Sequence, residues 1–140
     1  MLSTFLIERP GINSTFQDKG RFGLQHLGVV ASGSMDSFLS ELANQLVGNN
    51  INQPVIEFAY QGPQIKLISG EAHVSITGNI KYEIKKKNEM VIEGVPNSSF
   101  YLENGDVLNI IATIESVYGY LAVEGSFNLE KISNSFSTLL

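Results

Sequence analysis

A stretch of polar residues between glycines is the part of this sequence best suited to chemistry. Residues 17–23 read Gln-Asp-Lys-Gly-Arg-Phe-Gly, and residues 32–36 read Ser-Gly-Ser-Met-Asp. Arginine presents a planar fork to a carboxylate or carbonyl oxygen, while aspartate accepts hydrogen bonds from amide or ring N–H groups. Such a set suits small amide-like or carboxylate substrates. The candidate residues are Gln17, Asp18, Arg21, Gln25 and Asp36, together with the hydroxyls of Ser32 and Ser34.

A purely structural interpretation of the same residues stays open. Aspartate, serine and glycine also form ordinary turns, and Asp36 or Ser37 can cap the helix that follows. An ion pair between Arg21 and either Asp18 or Asp36 would only fix the loop. The sequence by itself does not choose between a binding site and such a locked loop.

Glu57 is a second unusual acid, because it lies within the apolar run Val55-Ile56-Glu57-Phe58-Ala59. Strand alternation places its side chain on the same face as those of Val55 and Ala59. An acid on an apolar face is costly unless it is paired or neutralised. Glu57 therefore either closes against Arg21 or lines a pocket as a substrate-binding residue, unless that face points to solvent.

Several other kinds of site are poorly supported. His26 and His73 do not share a metal-ligand spacing, and His73 fits a structural histidine within a strand. The chain has no cysteine, so disulfides and thiolate chemistry are excluded. The glycines around Arg21 lack the Gly-Lys-Ser/Thr ending of a phosphate-binding loop. A serine nucleophile at Ser32 or Ser34 lacks both the Gly-x-Ser-x-Gly elbow and an evident histidine base. We expect no metal site.

Composition limits the classes of partner. The 140 residues fit one domain, with 43% hydrophobic and 16% charged residues. A net charge of −5 argues against nucleic acid and anionic membranes as partners. The basic run 81–87 is better explained as a solvated hairpin rim. No signal peptide is recognisable, and no apolar stretch approaches the ~20 residues that span a bilayer. We expect a soluble, cytoplasmic protein.

The elements that must position the candidate residues are one helix and many short strands. Apolar residues recur at helical spacing over about residues 37–47, and Gly48 ends the pattern. Elsewhere glycine-punctuated β-rich runs predict an antiparallel barrel or sandwich. A first strand is expected at 2–7 and a brief extended run near 24–30. Further strands are predicted at 55–60, 65–68, 72–77, 81–84, 90–92, 107–113 and 118–123.

These motifs resemble the N-terminal half of the KipA family, which is also called allophanate hydrolase subunit 2, the biotin-dependent carboxyltransferase A/B domain and the 5-oxoprolinase C subunit. Glu57, Gly62-Pro63 and Thr77-Gly78 fall where the family places them, as does Gly119-Tyr120-Leu121-Ala122-Val123. The other matching segments are Arg9-Pro10-Gly11, Gln17-Asp18-x-Gly20-Arg21-x-Gly23-x-Gln25, Gly28-Val29, Ser32-Gly33-x-Met35-Asp36 and Ala43-Asn44-x-Leu46-Val47-Gly48-Asn49.

The resemblance implies a mainly β, cyclophilin-like antiparallel barrel with one amphipathic helix. Residues 1–127 would form the carboxyltransferase-type domain, and residues 128–140 would begin the connection to a second half. The implied partners are a KipI-like protein (the 5-oxoprolinase B subunit) and a LamB/YcsF-type protein (the 5-oxoprolinase A subunit). Together such proteins cleave 5-oxoproline with ATP, and in fused relatives the unit transfers a carboxyl group from carboxybiotin to urea. Asp18, Arg21 and Asp36 would be catalytic, and the isolated chain would be inactive.

The sequence departs from the family at several positions. Thr77-Gly78 continues as Asn79-Ile80, and Phe136 stands where an arginine is expected. The family's second half is also absent. These departures favour an alternative of a different class, a non-catalytic regulatory module that binds a KipI-like antikinase. A third alternative is the carboxyltransferase part of a biotin-dependent urea carboxylase.

Overall fold

The computed structural model of the chain describes residues 3–10, 29–30, 34–115, 117–127 and 138–139, with only the backbone described at 29–30 and 138–139. Helix α1 spans Ser37–Leu46. The strands are β1 (Thr4–Arg9), β2 (Val29–Val30), β3 (Val55–Ala59), β4 (Gln64–Ser69), β5 (Ala72–Thr77), β6 (Ile80–Lys85), β7 (Val91–Glu93), β8 (Ser98–Leu102), β9 (Val107–Thr113), β10 (Tyr118–Val123) and β11 (Thr138–Leu139).

The described strands form two antiparallel sheets. One has six strands in the order β11-β1-β4-β9-β6-β7, and the other has five in the order β2-β3-β10-β5-β8. Every described strand pair is antiparallel. The prediction of a mainly β fold with one helix is confirmed for the described residues. Closure of the sheets into one barrel stays a prediction.

The main core lies between the two sheets. Side chains at alternate positions of each strand point into it, as the period of two requires. Ile56 and Phe58 of β3 meet Leu108 and Ile110 of β9 in one buried apolar cluster. Gly119 belongs to the same layer, because a Cβ there would lie 2.6 Å from the ring of Phe58.

Helix α1 packs on the outer face of the five-stranded sheet. Ala43 and Val47 form a second buried cluster with Val55, Tyr120 and Ala122. Two buried hydroxyls on β5 fix the helix in place: Ser75 Oγ donates to the Ala43 carbonyl at 2.7 Å, and Thr77 Oγ1 donates to the Leu39 carbonyl at 2.8 Å. Sheet residues that look polar in the sequence therefore serve as helix anchors.

Both ends of α1 follow from local sequence. Asp36 is the N-cap, and its carboxylate accepts the Leu39 N–H at 3.1 Å, which resolves the choice between Asp36 and Ser37. Gly48 adopts φ 78° just past the helix, in the left-handed region that glycine favours. The buried amide of Asn44 donates to the Gln53 carbonyl at 2.9 Å, and Asn49 reaches the Val123 carbonyl at 2.8 Å. The segment at residues 43–49 thus fixes the C-terminal end of α1 to the residues before β3 and to the end of β10.

Most strand predictions are confirmed, and three are confirmed to the residue, at Ala72–Thr77, Val107–Thr113 and Tyr118–Val123. Strands β8 and β11 were not predicted. β8 is an edge strand that opens with Ser98 and Ser99, so it lacks the continuous β-branched run that marks the interior strands. Phe38 matches the helical spacing but is 72% exposed, since it lies in the first turn.

The basic run 81–87 forms the predicted hairpin of β6 and β7, but one of its lysines is not a rim residue. Lys86 Nζ lies 2.7 Å from Asp106 Oδ2 and 3.2 Å from Glu103 Oε1. Asp106 is 1% exposed, so this pair is an internal support for the turn before β9. The expectation of a wholly solvated rim is therefore wrong at Lys86.

Candidate functional site

The candidate site lies where the start of α1 meets β3 and β10. Glu57 and Tyr120 are directly opposite each other in these neighbouring strands. Both side chains point to the helix-covered face, because the residues on either side of them face the main core. Tyr120 donates its hydroxyl proton to Glu57 Oε2 over 2.6 Å.

The backbone amides of Asp36, the N-cap, and of Met35 before it complete this cluster. The Met35 N–H donates to Glu57 Oε2 at 2.8 Å, and the Asp36 N–H donates to the Tyr120 hydroxyl oxygen at 2.8 Å. Free amides at a helix start carry partial positive charge and favour an anion. Glu57 is thus held by a phenol and an amide, and no cation pairs with it among the described residues.

Tyr120 remains a proton donor over the physiological range. Its side chain is fully buried, and burial together with the hydrogen bond to Glu57 raises the pKa of its hydroxyl well above the ordinary value. A neutral phenol can donate to Glu57 and accept from Asp36 at the same time. In this cluster the phenol is therefore a neutral donor to Glu57, next to a helix start.

The structure gives Asp36 and Ser34 defined neighbours. Asp36 Oδ1 caps the helix at Leu39, and its other carboxylate oxygen has no partner among the described residues. Ser34 Oγ lies 2.8 Å from Ser40 Oγ. Three predicted site residues are therefore gathered around one helix start, where Glu57 joins Ser34 and Asp36 from a distant part of the sequence.

The remaining predicted site residues are Gln17, Asp18, Arg21, Gln25 and Ser32, and they lie outside the described residues. The expected convergence of Arg21 and Asp18 with Asp36 therefore stays a prediction. So does the closing of Glu57 against Arg21.

Tyr120 was not predicted to be part of the site. A tyrosine in an apolar strand is most simply interpreted as core, and its ring does pack with Ala43 and Val47. The available signal was alternation, since Tyr120 shares its face with Tyr118 and Ala122 rather than with Leu121 and Val123. Its pairing with Glu57 depends on strand register, which no local pattern reveals.

The site has no metal-binding character in the described part of the chain. Residues 3–10, 34–115 and 117–127 contain no group of three or more His, Cys, Asp or Glu side chains arranged to hold a metal ion. His73 instead places Nδ1 3.0 Å from Glu124 and stacks on Tyr101, as expected for a structural histidine. Among the described helices, none has the length and apolarity needed to cross a membrane.

Sequence comparison relates the chain to two kinds of protein. It is 35% identical over 135 residues to the urea amidolyase of Lachancea kluyveri, which covers 96% of this chain and 7% of that protein. It is 31% identical over 128 residues to the 5-oxoprolinase C subunit of Haemophilus influenzae, which covers 89% of this chain and 39% of that one. The chain thus spans less than half the length of these relatives.

Solved structures share the fold. The crystal structure of TTHA0988 matches with a TM-score of 0.68 and 32% identity, over 91% of this chain and 25% of that one. The Kluyveromyces lactis urea carboxylase matches with a TM-score of 0.68 and 25% identity, over 89% of this chain and 11% of that one.

A family model supports the same assignment. The model described as "Carboxyltransferase domain, subdomain A and B" matches residues 27–140, a span that includes Ser34, Asp36, Glu57 and Tyr120. The chain belongs to this carboxyltransferase domain family.

Proposed function

We propose that this chain forms the N-terminal part of one component of an ATP-dependent amide hydrolase of the 5-oxoprolinase or allophanate hydrolase type. Its relatives include the 5-oxoprolinase C subunit. The observation that carries the proposal is the Glu57 carboxylate, which is held beside a helix start by neutral donors. A carboxylate in that setting accepts an N–H from a small cyclic or linear amide.

The remaining roles follow from the residue types. The Asp36 carboxylate oxygen that has no described partner would orient a substrate N–H or move a proton, and Asp18 offers the same chemistry. Arg21 would hold a carboxylate or carbonyl oxygen of the substrate through its planar fork. Gln17, Gln25, Ser32 and Ser34 would complete the lining. In this proposal ATP is used by the complex, which includes a KipI-like protein and a LamB/YcsF-type protein.

A second candidate function is carboxyl transfer in a biotin-dependent urea carboxylase. The 35% identity to a urea amidolyase and the fold match to a urea carboxylase favour it. Urea is also a small amide, so the same carboxylate and guanidinium groups would orient it. Biotin enters only in this candidate.

The test is coexpression with the proteins encoded beside this one, followed by assays of 5-oxoproline-dependent and urea-dependent ATP hydrolysis. We expect Glu57→Gln and Arg21→Ala each to lower turnover by about 10²-fold, a typical loss for a misplaced substrate. Glu124→Gln is the matched control, because Glu124 pairs with the structural His73 and its side chain is 60% exposed. Turnover that depends on urea and biotin would favour the second candidate.

Undiminished turnover of both variants would remove the cluster from the reaction. Tight binding to a KipI-like protein with no contribution to turnover would instead favour the regulatory module.

A further inference from the structure

The edge of the six-stranded sheet at β7 exposes an unusual amount of apolar surface. All three residues of this strand are exposed. We define the β7 edge as Met90, Val91, Ile92, Glu93 and Val95, whose four apolar side chains are 43% to 65% exposed. Contiguous exposed apolar residues on a sheet edge are typical of a place where another strand pairs.

The backbone of β7 has hydrogen-bonding groups on its outer side with which no described residue pairs. The Lys86 N–H donates to the Met90 carbonyl at 2.7 Å, and the Gly94 N–H donates to the Tyr82 carbonyl at 2.8 Å. Bonding in an antiparallel pair alternates, so positions 90, 92 and 94 face β6. The N–H and C=O groups of Val91 and Glu93 therefore point away from the sheet, and β7 is the last strand in its order.

The charges at this edge are unbalanced. Glu93 lies directly opposite Glu83 of β6. This is a non-hydrogen-bonded pair, in which opposing side chains come closest, and like charges there are destabilising. Neither carboxylate has an ion pair or a hydrogen bond among the described residues, while nearby Lys85 is engaged with Glu89 at 3.1 Å. Within the described part of the chain, a cation is missing from this row.

We propose that the β7 edge is a docking site for an extended strand of a partner protein, which carries a lysine or arginine opposite Glu93 and an apolar residue opposite Val91. The outward amides and carbonyls would supply the main-chain pairing, and the apolar side chains would supply the buried area. The cation would neutralise the Glu83–Glu93 pair.

A second copy of the chain fits this edge less well. Antiparallel self-pairing centred on Val91 would bring Glu93 of each copy opposite Glu89 of the other, and each copy already carries a net charge of −5. The proposal is independent of the reaction at Glu57, because the β7 edge belongs to the other sheet.

The test uses a labelled nine-residue peptide, Lys-Thr-Val-Thr-Lys-Thr-Val-Thr-Lys, in which lysine and valine lie two residues apart and so share one face of the strand. Its threonines are N-methylated so that only one of its edges can pair. Binding is measured by fluorescence anisotropy, with a glutamate–valine peptide as the charge-reversed probe. We expect the wild-type chain to prefer the lysine peptide and Glu93→Lys to invert that preference, each by about threefold or more. Glu41→Lys is the control, since Glu41 is an exposed residue of α1 and should leave the preference unchanged.

Val91→Pro tests the main-chain hydrogen bonding between β7 and the docked strand. It removes an outward N–H and leaves the bonds to β6 in place, as proline on an edge strand allows. We expect about tenfold weaker peptide binding, with circular dichroism confirming the fold. Equal binding of both peptides, no binding, or no effect of either variant would overturn the proposal. A dimer of the chain alone that Val91→Pro abolishes in sedimentation would also overturn it, in favour of a second copy.

Discussion

Two carboxylates in this molecule are held by different kinds of partner. Asp106 faces the ammonium of Lys86 at 2.7 Å and also accepts the Glu103 N–H at 2.8 Å. Glu57 has only the Tyr120 hydroxyl and the Met35 N–H as donors among the described residues. Within the described fold, Asp106 therefore has a cation as its partner, whereas Glu57 has only neutral donors. We therefore expect the cluster at the helix start, rather than the one at the turn, to accept a ligand.

The largest expected effect is a loss of stability when the pair of Asp106 and Lys86 is broken. Asp106→Ala removes the counter-charge of Lys86 and the acceptor of the Glu103 N–H, at a side chain that is 1% exposed. We expect the free energy of unfolding to fall by about 3 kcal/mol, because the half-buried ammonium keeps only the exposed Glu103 as a partner and the Glu103 N–H loses its acceptor. Urea denaturation measures this loss.

Glu103→Ala is the matched control for that experiment. Its carboxylate also pairs with Lys86 but is 71% exposed, so we expect a loss of less than about 1 kcal/mol. Similar losses for the two variants would contradict the view that Asp106 carries the pair.

The second prediction concerns the hydrogen bonds between Tyr120, Glu57 and the Asp36 backbone. Tyr120→Phe leaves the Asp36 N–H without its acceptor and deprives Glu57 of a donor, so we expect a loss of about 2 kcal/mol in the free energy of unfolding. Tyr82→Phe is the control, since it removes one hydroxyl that donates to the Val95 carbonyl at 2.7 Å. That single neutral bond is worth about 1 kcal/mol. A smaller loss at position 120 than at 82 would mean that the Glu57 cluster adds no stability.

The third and smallest effect is a pH dependence of stability that comes from the pair of Lys86 and Asp106. The hydrogen bond to Asp106 raises the pKa of Lys86 above its unfolded value of 10.5. The folded chain therefore holds this proton more tightly than the unfolded chain does. The resulting stabilisation is fully present below pH 10.5 and is lost as the pH rises through the raised pKa.

Urea denaturation of the wild type and Lys86→Met between neutral and alkaline pH isolates this contribution. Tyr82 and Tyr120 also have raised pKa values, so the fold loses stability when these phenols ionise at alkaline pH. This loss occurs in both the wild type and Lys86→Met. The difference between the two proteins should shrink above pH 10.5. A constant difference would show that the Lys86 proton is not linked to folding.

Local sequence patterns were enough to predict most of the helix and strand positions. The helical spacing and Gly48 gave the bounds of α1 to within a residue, because a helix is specified by its own caps and apolar stripe. Interior strands such as β5 and β10 were predictable for a similar reason, since β-branched runs between glycines have few other stable conformations. The edge strand β8 was missed because it opens with Ser98 and Ser99, residues that are also typical of turns.

Which residues meet depends on the assembled fold. The sequence marked Ser34, Asp36 and Glu57 as unusual, but Tyr120 joins them through the register of β3 and β10, 63 residues apart along the chain. The register of β6 and β7 likewise places Glu83 opposite Glu93. The fold also brings Lys86 into contact with Asp106. Propensity and periodicity are local properties, whereas pairing across strands depends on how the whole sheet is assembled. For that reason the hydrogen bonding of the site could not be predicted from the sequence.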